Sequence, residues 1–101
     1  MTPLQKELTA RAGDLIDVAV KKSKFSSAVA FWRGKKEFAH FHKGNAIDIR
    51  LTKPLIKKLK PDYRLEIAFP PRDWVIAHFE TDKDLDFVFK LLEQAYRAHK
   101  N

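Results

Sequence analysis

The chain contains no cysteine, which excludes disulfides and thiolate metal sites. It has no apolar run near the roughly 18 residues a membrane helix needs, and no apolar signal core at its start. A monomeric cytoplasmic protein with no membrane partner is expected. A nucleophile elbow, a glycine-rich phosphate loop and a Ser-His-Asp signature are all missing, so no motif names an enzyme class. Helix-turn-helix, zinc-finger and RNP-like patterns are missing too. What remains is a chain of 101 residues, 45% hydrophobic, with eight Phe, two Trp and two Tyr. That size and composition suit one globular domain over 1–101. The net charge of +7 is unevenly spread. Residues 1–60 hold 14 basic and 5 acidic side chains, hence +9, and residues 61–101 hold 6 and 8, hence −2. An anionic partner or a lysine-rich solvated surface both account for that asymmetry.

The most informative stretch runs from Glu37 to Leu51. It alternates apolar and polar residues, turns, and alternates again, the pattern of a β-hairpin. Alternation places Ala39 and Phe41 on one face and Phe38, His40 and His42 on the other. Ile47, Ile49 and Leu51 share a face, and Ala46, Asp48 and Arg50 share its reverse. A two-residue Gly44-Asn45 turn would mix the two patterns. A three-residue loop, Lys43-Gly44-Asn45, pairs Phe41 with Ile47 and His40 with Asp48, and supplies a residue able to take positive φ. That register gives one apolar face (Ala39, Phe41, Ile47, Ile49, Leu51) and one polar face (His40, His42, Asp48, Arg50).

The other elements follow from caps and periodicity. Thr2, Pro3 and Gln5 form a helix start with a capping box. Leu4, Leu8, Ala12, Leu15 and Ala19, widened by Ile16 and Val20, predict helix over most of 3–21, with a possible break at Gly13-Asp14. Strands are predicted at about 27–32, 36–42 and 46–51. Thr52 caps a short helix over 53–60, with Leu55, Ile56 and Leu59 inward. In Tyr63–Phe69, Leu65, Ile67 and Phe69 face the core, and Arg64 and Glu66 face out. Pro70 to Asp73 forms a loop. Trp74–Phe79 is a further strand. Thr81 caps a last helix over 82–99, with Asp82 and Asp84 in its first turn and Leu85, Val88, Leu92, Ala95 and Tyr96 inward. The fold class is α+β: a mainly antiparallel five-stranded sheet in the order α-β-β-β-α-β-β-α, with helices mainly on one face.

Four short signals carry a family resemblance. They are Glu37-Phe38-Ala39-His40-Phe41-His42, Asp48-Ile49-Arg50-Leu51, Arg72-Asp73-Trp74-Val75, and the closing helix with Leu91-Leu92 and Ala95-Tyr96. Over about residues 15–98 the chain resembles the small luciferase-domain family. Those members carry a Gly-His-x-His segment, an acidic or His residue on the next strand, a Gly-Trp-Val strand start and a Ser-Tyr pair in the last helix. The resemblance implies no light-emitting activity. Ala39, Asp73 and Ala95 stand where Gly, Gly and Ser are usual. The histidine that many members carry before the tryptophan is missing here. A fainter resemblance, at the level of the plan alone, is to a double-wing family described as DNA-binding; a shared plan does not name a function.

Three functions are open. The first is a non-enzymatic ligand-binding module using His40, His42, Asp48 and Arg50 with the Arg72-Trp74 loop, where Arg72 would clamp an anionic group. No cofactor is implied by it. The second is a small metal-dependent enzyme, with His40, His42 and Asp48 on one divalent ion and Glu37 or Asp73 as base. The plain reading of those histidines is half-exposed strand residues, one paired with Asp48. The third is weak, sequence-independent nucleic-acid binding through Lys53, Lys57, Lys58 and Lys60, with Phe31 and Trp32 stacking on bases. Lysine outnumbers arginine, the residue preferred for base readout. His78 reads as a satisfied core or edge residue, and His99 as a helix-end cation.

Overall fold

The computed structural model describes residues 1–68 and 70–100. The chain opens with α1 (Pro3–Gly13). Thr2 accepts the Gln5 amide at 3.1 Å and Gln5 accepts the Thr2 amide at 2.8 Å, so two orphan donors of the first turn are satisfied. The predicted helix over 3–21 is corrected here. It stops at Gly13, and Asp17 takes φ 66°, which turns the chain into a strand, β1 (Val18–Lys22). A carboxamide or carboxylate side chain tolerates this left-handed conformation better than most. Valines at 18 and 20 then favour the pleated form. Ile16 and Val20, assigned to the helical stripe, are 76% and 42% exposed.

Five further strands and two helices follow: β2 (Val29–Arg33), β3 (Lys36–Phe41), β4 (Ala46–Arg50), α2 (Lys53–Lys57), β5 (Leu65–Glu66), β6 (Trp74–His78) and α3 (Asp82–Ala98). The sheet therefore has six strands rather than five, all antiparallel, in the order β1-β2-β3-β4-β6-β5. The three-residue loop register holds: Phe41 opposes Ile47, His40 opposes Asp48, and Gly44 has φ 73°. Thr52 caps α2, which is shorter than 53–60, and Thr81 caps α3. Asp84 completes a capping box there, accepting the Glu80 and Thr81 amides.

The predicted strand over 63–69 contracts to Leu65–Glu66. Leu65 and Ile67 pack on the core; Phe69 lies outside the described residues. Arg64 does not face out. Its guanidinium bonds to Asp62 at 2.9 Å and Asp84 at 3.1 Å and lies 3.8 Å from the Phe87 ring centroid. It ties the segment after α2 to the start of α3.

One face of the sheet is covered. Phe31, Ala39, Phe41, Ile47, Ile49, Val75 and Ala77 meet Leu8 and Ala12 of α1, Ile56 of α2, and Leu85, Val88, Leu92 and Ala95 of α3 in a single core. Removing this apolar area from water is the main favourable contribution to folding. Across the sheet, His40, Asp48, Arg50, Trp74, Ile76 and His78 keep partial exposure. Among the described residues no helix covers that face, and on it the candidate residues gather.

Phe38 departs from the alternation. Phe31 pairs with Ala39 and Trp32 with Glu37, so Phe38 is an extra residue, a β-bulge. Its ring turns into the core, 6.3 Å from Phe31 and 6.2 Å from Tyr96, and is fully buried. It is thus on the face opposite the one alternation gives it. The same bulge rotates Glu37 onto the helix-free face.

Candidate functional site on the helix-free face

Register brings His40 and Asp48 together. The His40 Nε2 lies 2.8 Å from Asp48 Oδ2, and its Nδ1 lies 2.8 Å from Glu37 Oε2. His42 reaches the same Asp48 oxygen from Nδ1 at 3.1 Å. Glu37 is fully buried. Its carboxylate also accepts the Ser23 hydroxyl at 2.7 Å and the Lys24 amide at 2.8 Å. A buried carboxylate is tolerable only when hydrogen-bonded in this way.

A carboxylate oxygen faces each ring nitrogen of His40, an arrangement that favours the doubly protonated imidazolium. The His40 pKa is raised above its ordinary 6.5: the bond to Asp48 favours the cation, burial opposes it, and Glu37 adds to the rise. For Asp48, burial pushes the pKa up, but the bonds from His40 and His42 together outweigh it, leaving the value below 3.8.

Aromatic rings roof the network. Trp74 lies 5.0 Å from the His40 ring, Phe25 lies 5.9 Å from it, and Phe25 meets Trp74 edge-on at 5.7 Å. Phe25 is held there because its own amide donates to Ser23 Oγ, the hydroxyl that Glu37 binds. The buried carboxylate therefore anchors both the imidazole and the loop that covers it.

Two clefts open beside this cluster. One, of about 540 Å³, is lined by Asp48, Glu66, Ile67, Ala68, Arg72, Trp74 and Ile76. The other, of about 440 Å³, is lined by residues including Ser26, Ser27, His42, Lys43 and Asp48. Asp48 borders both. Arg50 stands opposite Trp74 in the ladder and meets Asp73 at a long 3.9 Å. Arg72 is exposed and forms no ion pair among the described residues.

Of the residues expected from the sequence, His40, His42 and Asp48 form one bonded cluster, and Asp48, Arg72 and Trp74 line one cleft. Both nitrogens of His40 lie 2.8 Å from a carboxylate oxygen. Among the described residues no group of three or more His, Asp or Glu is placed to hold a metal. His78 bonds Glu66 at 2.9 Å, and His99 Nδ1 donates to the Ala95 carbonyl, 2.8 Å away.

The basic residues sit elsewhere. Lys53, Lys57, Lys58 and Lys60 are exposed on α2 and just after it. Phe31 is not a stacking platform, because it is fully buried in the core. Trp32 donates to the Lys22 carbonyl at 3.2 Å, with the Lys21 ammonium 4.7 Å from its ring centroid.

Sequence reasoning weighed Glu37 only as a base and missed Ser23, Phe25, Glu66 and Ile76. Alternation puts Glu37 opposite His40, and only the bulge unites them. Its signal is the pair Phe38-Ala39 between the polar Glu37 and His40, two adjacent apolar residues where the pattern allows one.

Among the described residues no helix is long and apolar enough to cross a membrane. Neither the curated proteins nor the solved structures contain a match to this chain. The family model of the Luciferase domain matches residues 35–95, which span β3 to α3 and hold Glu37, His40, His42, Asp48, Arg50, Arg72 and Trp74. That is more than half of the chain, and the chain belongs to the Luciferase domain family.

Proposed function

We propose that this domain binds a small organic ligand on the helix-free face of its sheet. His40, His42, Asp48 and Arg50 supply polar contacts from the central hairpin, and Arg72 and Trp74 supply them from the loop and strand start beside it. The observation that carries the reading is the placement of Asp48. It is bonded to two histidines and forms a wall of both clefts. Half-buried polar networks are costly unless every member is satisfied, and concave sites with a few converging polar groups and shifted pKa values are the usual places for ligands.

An amide-resolved NMR titration with a mixture of small aromatic acids, amides and amines tests it. Shifts are expected at His40, Asp48, Trp74 and Ile76, and Trp74→Ala is expected to abolish them. A larger apolar cleft of about 560 Å³ lies by α2, lined by residues including Ile56, Leu59 and Leu65. Shifts confined to those residues would place binding away from the histidines and contradict the proposal.

A further inference from the structure

Resting on that reading, we infer that the cleft beside Trp74 takes a small aryl carboxylate: a flat apolar body carrying one negative charge. The apolar walls are the Trp74 indole, Ile76, Ile67 and Ala68. Phe25 and His40 already pack against the indole, at 5.7 and 5.0 Å between ring centroids. A planar ring is the shape an indole wall accommodates with most contact.

The charge follows from which groups are already paired. Asp48 is hydrogen-bonded to His40 and His42, and Glu66 to His78 at 2.9 Å. Both carboxylates already have a hydrogen-bond partner within the protein. Arg72 lines the same cleft and has no ion pair among the described residues. Arg50, across the ladder from Trp74, has its carboxylate partner only at 3.9 Å. The charged lining group that lacks an ion pair among the described residues is thus Arg72, a guanidinium, the group that grips a carboxylate with two parallel bonds. A volume of about 540 Å³ suits a ligand of one or two rings.

The test compares three isosteres by NMR titration of the intact chain: 2-naphthoate, the neutral 2-naphthamide, and the cationic 2-naphthylmethylammonium. The carboxylate is expected to bind about tenfold or more tightly than the amide, as a charge-assisted contact implies. Arg72→Gln is expected to remove that preference, bringing the carboxylate's affinity down to that of the amide in the same variant. If the amide or the ammonium binds as tightly as the carboxylate, with shifts still at Trp74 and Ile76, the anionic class is overturned and the face survives as a ligand site. The same holds if Arg72→Gln leaves the preference intact. If none of the three shifts Asp48, Trp74 or Ile76, the site itself is overturned.

Discussion

Glu37 is the residue on which the site turns. Its carboxylate is fully buried and accepts from Ser23 Oγ, the Lys24 amide and His40 Nδ1. Removing it strands all three, the His40 ring among them. Glu37→Ala is therefore expected to cost about 3–5 kcal/mol, the range for breaking a buried charged pair. Urea unfolding at neutral pH measures it, and a loss below about 1 kcal/mol would show that these bonds carry little. Asp48 is more exposed and shares its charge with two histidines, so its energetic weight is smaller. Its importance lies in facing both clefts.

At the scale of elements, two local devices decide the architecture. The first is the turn at Asp17, whose φ of 66° ends the α1 segment and starts β1. A β-branched residue is strained there, so Asp17→Val is expected to destabilise by about 1–2 kcal/mol, and Asp17→Gly is expected to be neutral or slightly stabilising. Thermal denaturation of the pair checks this; equal behaviour would contradict it. The second device is the bulge at Phe38, which sends a phenyl ring into the core and Glu37 onto the helix-free face.

These devices also explain what could be read in advance. The hairpin register was legible, because only the three-residue loop separated Phe41, Ile47 and Ile49 from His40 and Asp48. The threonine caps at 2, 52 and 81 were legible, because capping is chemistry of a few adjacent residues. Strand β1 was not, since Leu15, Ile16, Ala19 and Val20 also fit a helical stripe. The Arg64–Asp84 bond and the Glu37–His40 pair were not, since each depends on how separated or bulged segments meet in space. So the polar face was half visible: its histidines and Asp48 from alternation, its buried anchor only from the fold.

At the scale of the whole molecule, the three helices contribute to one side of a six-stranded sheet and leave the other to its own side chains. Such a sheet separates stability from recognition: the covered face supplies apolar burial, and the open face is free to hold charged groups. The open face is stable only while its charges match, and this links the site to pH. A histidine whose pKa is raised on folding adds stability that is complete below its unfolded value of 6.5 and is lost as pH rises through the folded value. Asp48, whose pKa is lowered, adds stability that is complete above 3.8 and is lost as pH falls through its folded value. The network is therefore strongest between roughly pH 4 and 6.5.

The most direct test is the NMR titration of the His40 ring carbons in the wild-type chain and in Asp48→Asn. His40 is expected to titrate above 6.5, and the substitution is expected to lower that value, since the bond to Asp48 is the largest cause of the rise. A His40 that titrates at or below 6.5, and does not respond to Asp48→Asn, would mean that the carboxylates do not hold the ring and that the face is not a preassembled site.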